Sequence, residues 1–259
     1  MRALFFVFTL LLVGCLAEDK KDPPPALNQL NGFWNGQFDQ AGNLRVLLYE
    51  GEVFMRDASM GYYGSLTYSA ADQRAALRLT SYMLSLNDTD AQQYATSGAG
   101  QTVTMNGLFY TGAALPQLVG DYHASTDGSF ILTQDGTWAN PSAFSYLAGQ
   151  WHAQGLDLRI NGESQGKAEF KAISAQVAGS TAAQAGCTFS GDLRLIDVKH
   201  PLYRVSLKER KGCTEFNQVA EGFAAINASG ALEFYLRSGA NLLFMNFQPG
   251  AEPVPTPAP

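Results

Sequence analysis

Apolar residues fall on every second position in Leu44-Val46-Leu48, Leu156-Leu158-Ile160 and Leu232-Phe234-Leu236, the period of a strand with one buried face. Dipeptides that tolerate the positive φ of tight turns punctuate the chain at Asn106-Gly107, Asp127-Gly128, Asp135-Gly136 and Asn161-Gly162. Only residues 70–86, AADQRAALRLTSYMLSL, invite a helix, and there the alternation of Leu77, Leu79, Ser81 and Met83 predicts a strand. Many short strands broken by frequent turns predict an all-β barrel or sandwich.

The pattern repeats. LNGFWNGQ from Leu30 returns as LAGQWHAQ from Leu147, with Leu, Gly, Trp and Gln at the same spacings. Further on, GSLTY at Gly64 matches GDLRL at Gly191, and GDYHASTDGSFIL at Gly120 lies against GFAAINASGALEF at Gly222, with Gly128 and Gly230 in register. Unequal offsets between these anchors mark a tandem repeat with diverged loops, divided near Asn140-Pro141-Ser142. We therefore expect two small β-barrels over residues 27–140 and 141–248; the alternative is a single barrel whose halves complete one sheet.

Gly-x-Trp at the start of a first strand resembles the opening of the calycins, the group of lipocalins, fatty-acid-binding proteins and avidins. The resemblance covers each unit's start and implies a tandem pair of up-and-down antiparallel barrels, each closed at its base by a tryptophan. Trp34 and Trp151 would be large apolar plugs whose indole N–H still needs an acceptor. Gly32 and Gly149 would let the chain bend into the barrel. Leu27 and Leu30, and Phe144 and Leu147, would form the lids ahead of them. The resemblance also implies a late-strand arginine, Arg237, stacked on Trp151. The Thr-Asp-Tyr motif of lipocalins has no counterpart.

The two ends read differently. MRALFFVFTLLLVGC has one arginine, an apolar run from Ala3 to Val13 and a small residue before Cys15, the layout of a signal peptide over residues 1–14. The run stops short of the roughly 20 residues of a membrane span. Leu12-Val13-Gly14-Cys15 resembles the lipobox of bacterial lipoproteins, which implies cleavage before Cys15 and acylation, palmitate included, of that residue. Acyl chains at about 0.8 kcal/mol per buried methylene anchor firmly when two or more are present; an ordinary cleavage site with secretion is the alternative. Because Leu16, not Asp, follows the cysteine, the resemblance implies an outer-membrane location, on the periplasmic or surface face. Residues 15–26 then form a charged, Pro-rich tether, and residues 249–259 a disordered Pro-rich tail.

Removing Arg2 with the leader leaves 16 basic residues against 23 acidic ones, a net charge of −7 that argues against a nucleic-acid partner. Charged residues make up 15% of the chain, below the usual quarter, which favours an extracytoplasmic β-rich protein over a cytosolic helical enzyme.

Cys187 and Cys213 each lie 13 positions from His200, where His200-Pro201 interrupts two alternating runs. A hairpin centred on His200 opposes residues whose numbers sum to 400: Leu195 with Val205, Leu193 with Leu207, Asp192 with Lys208, and Cys187 with Cys213. Directly opposed strand residues lie within disulfide range, and an exported compartment is oxidising. Closing that loop stabilises by roughly 3–4 kcal/mol in the chain-entropy treatment. The GC-x-F-S-G … C pattern, with a later G-F-A, is similar to one in proteobacterial lipoproteins of no assigned activity. A thiol metal site is the weaker reading, since no second ligand lies at a suitable spacing.

Other polar residues point to no reaction. Asp121, His123 and Ser125 fall on one strand and lack a nucleophile elbow. His152 alternates with Trp151 and so faces solvent. Asp88 and Asp90 have the spacing of a calcium loop without its sixth-position glycine or twelfth-position glutamate. The sequons at Asn87 and Asn227 mean little in a bacterium. The sequence thus leads to a noncatalytic, lipid-anchored envelope module that binds or scaffolds a protein partner, with no cofactor and no metal. The alternative is a lipocalin-like carrier of a small hydrophobic ligand, and the inward Leu, Phe and Met residues favour a filled barrel over a chambered one.

Overall fold

The computed structural model describes residues 26–39, 41–85, 94–96, 100–153, 156–174, 188–211, 219–239 and 241–250. After a short 3-10 turn at Ala26–Gln29 come β1 (Gly32–Phe38), β2 (Ala41–Tyr49), β3 (Glu52–Arg56), β4 (Met60–Ser69), β5 (Arg74–Ser85), β6 (Tyr94–Thr96), β7 (Thr102–Tyr110), β8 (Gln117–His123) and β9 (Asp127–Gln134). Two 3-10 turns, Thr137–Ala139 and Phe144–Tyr146, lead to β10 (Gly149–Ala153), β11 (Leu156–Ile160), β12 (Ala168–Ser174), β13 (Thr188–Leu195), β14 (Leu202–Lys211), β15 (Ala220–Ile226), β16 (Leu232–Ser238) and β17 (Asn241–Pro249).

Every pairing is antiparallel, and within each barrel successive strands pair in chain order, with β7 following β5 in the first because β6 lies outside its ladder. In the first half β9 returns to β1, with Trp34 opposite Gln134 and Phe38 opposite Phe130. In the second, β17 returns to β10, with Trp151 opposite Pro249. Two closed eight-stranded up-and-down barrels therefore stand in tandem. The stretch open to a helical reading is strand β5, paired along its length with β4.

Both tryptophans close their barrels in the same way. The Trp34 indole N–H donates to the Leu30 carbonyl at 3.1 Å, and that of Trp151 to the Leu147 carbonyl at 2.8 Å, both four residues back. Each lead-in thus caps the barrel base and satisfies its one buried donor. Gly32 and Gly149 turn the chain at φ 142° and 135°, a region that only glycine enters readily. Trp34 packs with Val46, Met105 and Leu132, and Trp151 with Phe170, Phe234 and Phe247, in two separate interiors.

A third apolar cluster lies between the barrels. It joins Phe33, Leu47, Phe54 and Tyr82 of the first to Leu202, Phe223, Tyr235, Leu242 and Phe244 of the second. Val53, Phe54 and Met55 are consecutive and all buried, as are Leu232 to Leu236, because these strands face their own interior on one side and the other barrel on the other. Arg45, 12% exposed, spans the junction: Nη1 meets Asp135 at 2.6 Å and Nη2 meets Glu233 at 2.8 Å. Glu233 also accepts from the Tyr235 hydroxyl at 2.7 Å. Burial works against the Arg45 charge, but Tyr235, Glu233 and Asp135 outweigh it and raise its pKa. Trp138 and His200 stack at 4.3 Å beside this cluster, and the His200 Nδ1 lies 2.8 Å from the Trp138 carbonyl.

The backbone also crosses the junction. β10 is short and meets β17 only at Gln248 and Pro249. Upstream on that edge, Leu243 and Phe244 pair with Ala95 and Tyr94 of β6, which in turn pairs with the end of β5. A strand of the first barrel's loop thus covers an edge of the second.

Several sequence expectations need correction. The hairpin of β13 and β14 is centred on Lys199, so Leu193 faces Val205, Leu195 faces Tyr203 and Asp192 faces Ser206. Asp197 Oδ1 accepts from the Lys199 and His200 amides, which makes the turn asymmetric. A bulge at Ser190 and Gly191 then shifts the register by one, and Asp192 reaches Lys208 as an ion pair across the diagonal. The register that opposes Cys187 to Cys213 is therefore not the one adopted up to Thr188 and Lys211; both cysteines lie outside the described residues, as does Cys15. Arg237 lies not on Trp151 but on Tyr63, 4.2 Å from the ring centroid. Leu232, Phe234 and Leu236 of its strand face inward, so Arg237 must face out. Asn106-Gly107 is no turn: it sits inside β7, where a Gly107 side chain would meet Phe130 and the Val119 carbonyl.

The repeat match holds at Gly64 and Gly191. Each lies on the fourth strand of its barrel, with a fifth-strand carbonyl about where a Cβ would be. The match at Gly120 and Gly222 is one strand out, since they lie on the seventh and sixth strands of their barrels; Gly107 is the sixth-strand glycine of the first.

Arg45→Met removes one partner of a buried charge cluster. We expect a loss of about 3–5 kcal/mol in urea unfolding, partly recovered when Glu233→Leu is added.

Candidate binding cup at the mouth of the first barrel

Opposite the Trp34 base, the first barrel opens beside the β3–β4 and β8–β9 turns, the end of β1, and Gly100 and Gln101 just ahead of β7. Alternation sets Trp34, Gly36 and Phe38 on the inner face of β1, Met60, Tyr62 and Leu66 on that of β4, and Leu118, Gly120 and Tyr122 on that of β8. The last inward residue of each of these three strands is aromatic or sulfur-bearing, so the interior ends in a cup, not a flush polar surface. Its volume is about 490 Å³, and Phe38, Met60, Tyr62, Met83, Val103 and Tyr122 supply its apolar lining. Volumes of this size suit small ligands. The Phe38 centroid lies 4.6 Å from that of Tyr122 and 6.1 Å from that of Tyr62, at interplanar angles of 55° and 70°.

Two turn aspartates fix the tyrosines. Asp39, at φ 46°, accepts from the Ser129 amide at 2.7 Å and from the Tyr122 hydroxyl at 2.5 Å, tying β1 to β8 and β9. Asp57 holds the β3–β4 turn by accepting from the Ser59 and Met60 amides, both at 2.7 Å, and its other oxygen takes the Tyr62 hydroxyl at 2.9 Å. The Tyr122 hydrogen bond, with the Ser129 amide, holds the Asp39 carboxyl below the usual carboxylate range. The same bond raises the Tyr122 phenol, while burial, then Asp57, raises that of Tyr62. No lysine or arginine is among the residues lining the cup.

The polar residues noted in the sequence do not assemble into a catalytic set. His123 Nδ1 meets Asp127 Oδ1 at 2.9 Å, both exposed, and Ser125 is on the cup's rim. His152 is exposed and pairs with Asp157. Asn227 serves its own turn, accepting from the Ser229 and Ala231 amides. Asn87, Asp88 and Asp90 lie outside the described residues, as do residues 1–25 and the tail from Ala251. Among the described residues no group of three His, Cys, Asp or Glu is placed to hold a metal ion.

A second concavity, about 620 Å³, lies on the outside between the barrels and carries Arg204, Lys208 and Arg237 beside Glu52 and Glu221. Its cations are already engaged: Arg204 lies over Phe223 at 4.3 Å, Arg237 over Tyr63, and Lys208 is paired with Asp192. The cup residues carry no motif, which is why the sequence alone does not select them. Their signal is an aromatic at a strand end next to a turn aspartate, as in Phe38-Asp39 and in Asp57 with Tyr62.

No family model matches the chain, and no curated protein and no solved structure matches it either.

The Asp39 bond can be followed by pH. A carboxyl whose folded pKa is depressed contributes above its unfolded value, near ~4, and loses that contribution as pH falls through the lower folded value. In ¹³C-tyrosine NMR the Tyr122 ring is expected to hold steady from pH 7 to about 4 and to shift only in stronger acid. On the alkaline side it titrates above the ordinary value of about 10, and Asp39→Asn moves it back towards that value.

Proposed function

We propose that the chain is a noncatalytic module of the cell envelope, held on the outer membrane by lipid at Cys15 and acting through its surfaces as a binding or scaffolding component. The observation that carries this reading is that each barrel interior is a contiguous packed cluster built around its own tryptophan. Eight strands enclose either packed side chains or one small ligand; here the interior volume goes to Leu, Phe, Met and Trp. The rigid double barrel on a short tether offers surfaces on a fixed body to an envelope protein.

A specific observation favours a second reading, the carrier of a small ligand. The cup of the first barrel is large enough for one, held at the mouth above the packed interior and not within it. The calycin likeness of the two Gly-x-Trp openings is consistent with either reading, since such barrels serve both as filled modules and as carriers. In the oxidising compartment Cys187 and Cys213 are expected to be bridged, and a nonreducing peptide map that finds both as free thiols would remove that element.

Metabolic labelling with a palmitate analogue tests the anchor: the wild type is expected to carry label in the outer-membrane fraction and Cys15→Ala to lose it. Equal labelling of the two would overturn the lipidation. Crosslinking in the intact envelope, followed by capture of the chain, is expected to recover a defined protein partner, whereas recovery of a stoichiometric small molecule by native mass spectrometry would favour the carrier.

A further inference from the structure

We infer that the cup of the first barrel is a site for a small organic ammonium cation. This rests on the second reading above, that the cup takes a small ligand, and adds the charge and class of that ligand.

Three aromatic rings line the cup, and aromatic faces attract cations through their negative quadrupole. Two of these rings, Tyr62 and Tyr122, donate their hydroxyls to Asp57 and Asp39. A phenol hydrogen-bonded to a carboxylate is polarised towards phenolate, so its ring face becomes more negative. The same bonds keep each ring from rotating and set two carboxylates at the rim. Asp127 stands at the neighbouring turn, paired with His123, and the lining carries neither lysine nor arginine. An anion would meet only repulsion there. An uncharged hydrophobe would find the apolar wall but would draw nothing from the rim. Methyl-substituted ammonium satisfies both at once: its methyls pack on Phe38, Met60 and Val103, while its charge is spread over the ring faces and the rim carboxylates. The volume of about 490 Å³ accommodates such a head group with a short substituent. Met83, 68% exposed, adds a flexible apolar side chain to the lining.

The test uses the full-length protein labelled at its methionine methyls, titrated with choline and, separately, with its uncharged isostere 3,3-dimethyl-1-butanol. Choline is expected to shift the Met60 and Met83 methyl signals saturably and to bind at least tenfold more tightly than the isostere. Phe38→Ala is expected to weaken choline at least tenfold. Because that change also opens the interior, the paired variants Asp39→Asn and Asp57→Asn, which keep the rings and their volume, are expected to weaken choline while leaving the isostere unchanged. Equal affinities for the two probes would overturn the ammonium assignment and leave the cup standing as a small-ligand site. Shifts from neither probe in a folded protein, or shifts confined to methionines outside the cup, would overturn both.

Discussion

The outer faces of β1 to β3 and of β14 to β17 are too apolar to meet water, and the rest of the architecture follows from covering them with each other. Phe33, Leu47 and Phe54 on one barrel meet Phe223, Tyr235 and Phe244 on its partner. Apart, these residues would form an exposed patch of the kind that drives association. Together they make a third core, equal in character to the two barrel interiors. The buried Arg45 cluster and the β6 pairing sit on this junction, and each joins a group of the first barrel to a group of the second.

The junction reaches the cup through one strand. β5 pairs with β7 only from Arg74 to Thr80; beyond that it stays on β4 as far as Met83, and its last two residues, Leu84 and Ser85, run beside β6. On this extension Tyr82 is buried in the third core, while Ser81 and Met83, on the opposite face, line the cup. The second barrel thereby holds one wall of the first barrel's mouth. Among the described residues the cup lies on the first barrel, and the second packs against the strand that helps to line it.

Much of this was legible in the sequence, and the failures share a cause. Alternation found the strands, including β5, because one buried face imposes a period of two. The Trp motif located both barrel bases, because an indole inside an apolar core must find an acceptor and the lead-in four residues back supplies it. Alternation is silent where both faces are buried. The runs Val53-Phe54-Met55 and Leu242 to Met245 are continuously apolar, and Leu232 to Leu236 is broken only by the ion-paired Glu233; that continuity was the available signal for a shared face. Register failed between β13 and β14 because a side-chain-held turn at Asp197 and a bulge at Gly191 moved it by amounts no hydrophobic pattern records. The cup escaped because Phe38, Tyr62 and Tyr122 look like ordinary core positions until the turns place Asp39 and Asp57 against their ring edges.

Native-state amide hydrogen exchange against increasing urea tests most directly whether the two barrels are one thermodynamic body. The most protected amides of β8, in the first barrel away from the junction, are compared with those of β12 in the second. We expect both sets to converge on one unfolding free energy with one urea dependence. Two separate limits, each with the smaller slope of a half-sized unit, would mean that the barrels unfold independently and that the third core does not bind them.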